Sequence, residues 1–274
     1  MNRLLQEKAQ ELLDQNEVSL VIGYGEYFRR TNDESLQRIV TPLFISKPDE
    51  AKSLVWNDHC VHNLSAYLLR KEVKVHRRVA LVAKGCDVKS ICVLVQENQI
   101  KRNNVLIIGL TCQGVVGNSP YRNAEKCYSC QLHTPHICDI LISSPQERSR
   151  EPEQEPLEGS GSLQEKIDRL DRMSTPERWH FWKDQFGRCV RCYACRNICP
   201  LCYCERCIGD SSSPQWIEKG SLSGNLAFHI IRALHLSDRC TDCGECERVC
   251  PMGLPLNLLY HKMARIAKDL FQTK

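Results

Sequence analysis

Two sets of four cysteines with identical spacing occur in the second half of this chain, and each set ends in front of a proline. They are Cys189, Cys192, Cys195 and Cys199 before Pro200, and Cys240, Cys243, Cys246 and Cys250 before Pro251. This is the spacing of bacterial two-cluster ferredoxins, in which three thiolates surround one 4Fe–4S cluster and the fourth binds the other cluster. The sequence therefore predicts two clusters with crossed ligands: Cys189, Cys192, Cys195 and Cys250 on one, and Cys240, Cys243, Cys246 and Cys199 on the other.

A pair of structural zinc sites is the alternative, because zinc sites also use C-x2-C pairs. A third cysteine at the same spacing and a fourth before proline, both repeated, favour iron–sulfur. The chain holds 18 cysteines in 274 residues, and it is too long to be a small secreted disulfide scaffold, so a reducing, cytoplasmic location is expected. Three further thiols, Cys202, Cys204 and Cys207, could contribute to another metal site or pack around a cluster.

Residues 145–162 differ in composition from the rest of the chain. This segment, PQERSREPEQEPLEGSGS, has no aromatic residue and one leucine, so it cannot bury enough apolar surface to offset the entropy of ordering. We expect a flexible linker there, between a domain at 1–144 and a domain at 163–274.

The first domain alternates strand and helix patterns, which predicts an α/β fold with a mostly parallel sheet. Strand-like runs are Val18–Ile22, Pro42–Ile45, Val79–Ala83 and Val105–Leu110. The second domain carries only helical patterns, so we expect an all-helical dicluster ferredoxin domain. The 51-residue separation of Cys189 and Cys240, with a helix inside it, resembles the α-helical ferredoxin domain of fumarate reductase iron–sulfur subunits and of the heterodisulfide reductase small subunit.

A third metal site is predicted in the first domain. Cys86 follows the strand Val79–Ala83, and Cys112 follows Val105–Leu110. If these strands are parallel, both thiols lie at the carboxyl edge of the sheet, where such sheets bind ligands. The C-x2-C pair Cys127 and Cys130 can return over that edge. A third 4Fe–4S cluster is expected on these four thiols, with zinc, substitution by Cys138, or simple core packing as alternatives.

Net charge and hydropathy exclude other classes of protein. The 37 basic and 33 acidic residues leave a net charge of +4, which is too small to indicate a nucleic-acid partner. The longest apolar runs, such as Val105–Leu110, fall far short of the roughly 20 residues of a membrane span. We expect neither nucleic acid nor a membrane span.

Several segments resemble the beta-subunit family of deazaflavin-coenzyme-linked hydrogenases and dehydrogenases, which includes formate dehydrogenase beta subunits. They are KGCD at 84–87, QENQI at 96–100, IIGLTCQG at 107–114, CDILI at 138–142, ERWHFWKDQFGRCVRCYACRNICPLCYC at 177–204 and CTDCGECERVCPMGLPL at 240–256. The resemblance implies an iron–sulfur electron-transfer subunit of a multi-subunit oxidoreductase of the hydrogenase, formate dehydrogenase or heterodisulfide reductase type. Catalytic and electron-accepting subunits would be its partners. The alternative is an enzyme that carries out hydride transfer with a flavin (FAD) or deazaflavin in the first domain.

Overall fold

The computed structural model describes residues 1–30, 35–117, 124–128, 130–143 and 163–271. The chain divides into two compact units, unit 1 at residues 1–155 and unit 2 at residues 156–274. The predicted linker at 145–162 lies outside the described residues, so its boundaries stay a prediction.

Unit 1 is built around a five-stranded sheet. Its helices and strands are α1 Asn2–Asp14, β1 Leu20–Arg30, β2 Leu36–Ile45, α2 Lys71–Lys74, β3 Val79–Ala83, α3 Gly85–Gln96, β4 Val105–Leu110, α4 Glu125–Tyr128 and β5 Ile140–Ile142. The strand order is β2-β1-β3-β4-β5. Only the β1–β2 pair is antiparallel, whereas β1, β3, β4 and β5 pair in parallel. The predicted α/β fold with a mostly parallel sheet is confirmed.

The strands β3 and β4 have the predicted bounds. Every residue in them is buried. A strand covered on both faces reads as a continuous apolar run, and that signal has clear ends. The bounds of β1 and β2 were predicted less well. The distal half of β1, Tyr27–Arg30, is exposed, so the β1–β2 hairpin extends beyond the apolar runs that indicated it. The three-residue strand β5 was not predicted.

A buried ion pair lies where β3 passes into α3. Lys84 is 2% exposed, and its Nζ lies 3.0 Å from Asp87 Oδ2, a carboxylate with no exposed surface. The same Nζ donates to the Tyr24 hydroxyl and to the His62 carbonyl, 2.7 Å away. Asp87 also accepts the backbone N–H groups of Lys84 at 2.7 Å and Leu64 at 3.2 Å. Burial opposes the charge of Lys84, but Asp87 and Tyr24 raise its pKa well above the ordinary value.

Replacing Asp87 should strongly destabilise unit 1. Asp87→Ala leaves the Lys84 ammonium buried without its counter-charge, and breaking a buried pair in this way costs about 3–5 kcal/mol. Chemical denaturation, with the unfolding of the unit 1 strands as the signal, measures the change in the free energy of unfolding. The control is Glu7→Ala, which removes the exposed Arg3–Glu7 pair and should leave the free energy of unfolding nearly unchanged. Equal effects of the two substitutions would contradict this interpretation.

All regular structure described in unit 2 is helical, as predicted. The helices are α5 Leu163–Arg172, α6 Thr175–Gly187, α7 Ala194–Asn197, α8 Leu222–Leu236, α9 Glu245–Arg248 and α10 Leu256–Phe271. The start of α6 is fixed by Glu177, which accepts the backbone N–H and the hydroxyl of Ser174, both at 2.7 Å. Asn225 of α8 donates to the carbonyls of Phe186 at 3.0 Å and Cys189 at 2.8 Å. These bonds hold the end of α6, and the first cysteine after it, against α8.

Candidate metal centres

Two cavities in unit 2 are each lined by four thiols, drawn from both cysteine sets. Cavity A is lined by Cys189, Cys192, Cys195 and Cys250. Cavity B is lined by Cys199, Cys240, Cys243 and Cys246. In each case three thiols come from one set, and the fourth is the pre-proline cysteine of the other set. The structure thus groups these eight thiols as the crossed assignment does.

The two cysteine sets adopt the same backbone conformation. Positive φ angles occur at Arg191 (52°) and Tyr193 (60°) in the first set, and at Asp242 (54°) and Gly244 (68°) in the second. These residues flank the second cysteine of each set, and a short helix, α7 or α9, follows. Three of the four are not glycine. A non-glycine residue in this region costs free energy, and it persists only where the surrounding structure imposes the conformation. Left-handed residues between right-handed ones make concave rows of backbone N–H groups, an arrangement common at iron–sulfur sites.

Backbone and side-chain donors reach the sulfurs of cavity A. The amide of Arg191 donates to Cys189 Sγ at 3.4 Å, and that of Leu254 to Cys250 Sγ at 3.5 Å. His229 Nε2 lies 3.3 Å from Cys189 Sγ, and its ring stacks on Phe186. Burial, together with the charges of Arg232 and Arg191, lowers the pKa of His229 to about 3. With the proton on Nε2, the ring can donate a hydrogen bond to that sulfur.

Burial makes these thiols poor free nucleophiles. It raises the pKa of Cys240 to about 12, and it also raises the pKa values of Cys189, Cys195 and Cys246. Solvent therefore does not stabilise their thiolate forms. Coordination to metal does, since metal ligands bind as thiolates. The donor set fits iron–sulfur clusters: four sulfurs around each cavity, with amides directed at them.

A buried guanidinium supports the same fit. Arg232 is 2% exposed and lines cavity B. The titratable groups that act on its charge are the Tyr260 phenol and neighbouring thiols, including those of Cys195 and Cys199. A buried cation without an anionic partner is strongly unfavourable. Thiolates that hold a metal cluster would supply the missing negative charge.

The three additional thiols of unit 2 lie in different environments. A hydrogen bond with Cys199 lowers the pKa of Cys202, against the opposing effect of burial. Cys204 is exposed, and Cys207 is partly buried. Across the described residues, no three His, Cys, Asp or Glu side chains are close enough to share a single metal ion, so these three thiols form no single-ion site there. Cys202 adjoins a predicted cluster ligand, because it hydrogen-bonds with Cys199.

Three of the four predicted thiols of unit 1, those of Cys112, Cys127 and Cys130, come from the segment that follows β4. Backbone N–H groups of Gly114 and Val115 bond to the thiols of Cys112 and Cys127. Burial raises the pKa of Cys112 to about 11, and Cys127 adds to that rise. Burial also raises the pKa of Cys127, with a contribution from Cys130. Electrostatic effects therefore connect Cys112 with Cys127, and Cys127 with Cys130.

Cys86 joins this group from the first turn of α3. Its position favours a thiolate, because a helix N-terminus carries partial positive charge. Burial and the Asp87 carboxylate have the larger effect, and they raise the pKa of Cys86 above its ordinary value, with a further contribution from Cys112. Cys138 packs instead beside Gly109 in β4, where a β-carbon on that glycine would lie 3.1 Å from Cys138 Sγ. Cys86 thus lies within electrostatic range of Cys112, whereas Cys138 is partly buried and packs against the sheet core.

The Lys84 charge beside these thiols was not predicted from the sequence. It opposes the pKa rise at Cys86, Cys112 and Cys127. The KGCD segment contains the residue, but a lysine after a strand usually reaches solvent. Only the strand order, with β1 beside β3, brings Tyr24 to its ammonium group.

Comparison with known proteins identifies the second cysteine set. A model described as a 4Fe-4S binding domain matches residues 233–255. That segment contains Cys240, Cys243, Cys246 and Cys250. An iron–sulfur binding segment in unit 2 is therefore confirmed.

Two curated proteins are similar to most of the chain. The F420-dependent formate dehydrogenase subunit beta of Methanocaldococcus jannaschii is 25% identical over 311 positions, which cover 83% of this chain and 81% of that protein. The F420-dependent formate dehydrogenase 1 subunit beta of Methanococcus maripaludis is 21% identical, over 81% of this chain and 79% of that protein. The resemblance to formate dehydrogenase beta subunits is confirmed. No helix within the described ranges is both long and apolar enough to cross a membrane.

Proposed function

We propose that this chain is an iron–sulfur electron-transfer subunit of a multi-subunit oxidoreductase. The observation that carries the proposal is the pair of four-thiol cavities in unit 2, each built from both cysteine sets. The 4Fe-4S binding segment at 233–255 supports it. So do the names of the relatives, which are subunits of formate dehydrogenases.

The residues of unit 2 have separate roles in this function. The four thiols of cavity A and the four of cavity B hold one 4Fe–4S cluster each, and bound clusters supply one-electron redox chemistry. Amides such as that of Arg191 stabilise negative charge on the ligand sulfurs. His229 does the same for Cys189. The chain itself makes and breaks no substrate bond.

We assign a third 4Fe–4S cluster to Cys86, Cys112, Cys127 and Cys130 in unit 1. Their mutual electrostatic effects and the paired amides of Gly114 and Val115 support this assignment. Partner subunits would include a catalytic subunit that donates electrons and one that accepts them. A cytoplasmic location belongs to the proposal, because unpaired thiols in this number need a reducing compartment.

Metal and flavin analysis tests the proposal directly. The full chain is purified without oxygen, and iron, acid-labile sulfide, zinc and flavin are counted per chain. We expect about twelve irons for three clusters, or about eight if only unit 2 holds clusters. A folded, colourless chain that holds zinc and no iron would overturn the proposal.

The third cluster has its own test in Cys112→Ser. Loss of one ligand should remove about four irons per chain while the signals of the unit 2 clusters persist. Iron analysis and electron paramagnetic resonance (EPR) measure both. The matched control is Cys92→Ser in α3, a partly buried cysteine packed against the hydrophobic core, which should retain all iron. Unchanged iron in Cys112→Ser would exclude a cluster at this site.

A second candidate function is hydride transfer with a flavin or deazaflavin in unit 1. It is favoured by one observation, the term F420-dependent in the names of both relatives. Flavin released on denaturing the purified chain would support it. A flavin-free chain that holds its full complement of iron would favour the electron-transfer function alone.

A further inference from the structure

One buried arginine of α8 contacts residues of both cavities of unit 2. Arg232 Nη1 lies 2.5 Å from the Tyr260 hydroxyl, and Nη2 donates to the Cys195 carbonyl at 3.2 Å. Cys195 lines cavity A, whereas Arg232 itself lines cavity B. The guanidinium also hydrogen-bonds to Cys202, which adjoins the cavity B thiol Cys199. Its contacts therefore reach both groups of thiols.

The charge of Arg232 acts on thiols of both cavities. Burial raises the pKa of Cys195 in cavity A, and the guanidinium opposes that rise. The same opposition holds for Cys240 and Cys246 in cavity B. An arginine side chain stays protonated in proteins, so this charge is permanent. Within the described part of the chain, no carboxylate forms an ion pair with it at 4 Å or less.

We propose that Arg232 is the common counter-charge of cavities A and B and raises the reduction potentials of both clusters that they hold. The inference rests on the proposed function, because it concerns the clusters of these two cavities. Reduction adds one unit of negative charge to a cluster. A fixed cation in a buried, low-dielectric setting therefore stabilises the reduced form more than the oxidised form.

Arg191 provides a local comparison in the same unit. Its side chain is 7% exposed and lines cavity A. It donates to the Glu218 carbonyl at 2.9 Å and to Asn225 Oδ1 at 3.3 Å. Burial raises the pKa of Cys189, and Arg191 opposes that rise. Arg191 should therefore influence the cluster of cavity A alone.

The test compares charge-removing and charge-keeping variants of the full chain. Midpoint potentials of the two clusters are measured by EPR-monitored redox titration in the wild type, Arg232→Gln, Arg232→Lys and Arg191→Gln. Arg232→Gln should shift the oxidised-to-reduced ratio of both clusters at least tenfold toward the oxidised form. That shift is a fall of about 59 mV in each one-electron potential. Arg232→Lys keeps the charge and should retain most of each potential, and Arg191→Gln should lower the potential of the cavity A cluster only.

The outcomes separate this inference from the proposed function. If Arg232→Gln keeps both clusters intact, two results count against the inference: neither potential falls, or the potential of only one cluster falls. Either result would overturn the shared role of Arg232 and leave the electron-transfer function standing. A wild-type chain without clusters would overturn the proposed function instead. If Arg232→Gln assembles no clusters, Arg232→Lys decides. If Arg232→Lys keeps both clusters, the positive charge is needed, as proposed. A further variant, Arg232→Met, removes the charge, and the proposal is overturned if this variant assembles both clusters while Arg232→Lys does not.

Discussion

Cys189→Ser combined with Cys250→Ser should cost this chain one cluster, whereas Cys189→Ser combined with Cys199→Ser should cost two. The first pair of thiols lines cavity A alone. The second pair belongs to one sequence set, but its members line cavities A and B. Iron should therefore fall by about four per chain in the first variant and by about eight in the second.

Iron analysis, acid-labile sulfide and EPR spin counting distinguish the two results. The control is Cys204→Ser, which alters an exposed thiol outside both cavities and should retain all iron. The opposite pattern, with about eight irons lost on replacing Cys189 and Cys250, would show that each sequence set holds its own cluster. The experiment thus tests the crossed arrangement separately from the presence of iron.

Removal of iron should unfold unit 2 while the sheet of unit 1 stays folded. The apolar cluster between α5 and α10 contains four buried residues, Leu163, Ile167, Leu170 and Leu258. The rest of the interior is organised around cavities A and B, whose walls also include Phe228 and Leu236. Without clusters, the buried guanidinium of Arg232 has hydrogen-bond partners but no anionic group to balance its charge. In sites of this kind, the free energy of metal binding is largely folding free energy.

Hydrogen exchange read by mass spectrometry measures this difference between the units. After chelation, amides of α8 and α10 should lose their protection, while those of β3 and β4 keep it, because these strands are buried on both faces. Renewed protection of α8 when iron and sulfide are restored is the control for irreversible damage. Full protection of α8 in iron-free chain would contradict the expectation and would mean that apolar packing alone holds unit 2.

The sequence predicted the parts of the site that depend on local spacing. The Cys-x2-Cys gaps set which thiols can surround one cluster. Both sets have left-handed residues at the same positions, such as Arg191 in the first set and Asp242 in the second. The positions of Cys86 and Cys112 followed from two apolar runs that end just before them. The group they form with Cys127 depends on the loop at Gly114 and Val115, whose amides reach two of the sulfurs. No periodic pattern indicates that loop.

The sequence by itself determined the fold class and the bounds of β3 and β4, because continuous apolar runs record them, and the spacing of the cysteines predicted which thiols share a cluster. Only the tertiary structure decided that Lys84 and Arg232 are buried. Lys84 meets Tyr24, which is 60 residues away in sequence, and Arg232 meets Cys195, which is 37 residues away. A charged side chain normally stays in water, and its burial depends on partners that folding brings from distant segments. For that reason the charges beside the thiols cannot be read from the cysteine pattern, although they act on the same sulfurs.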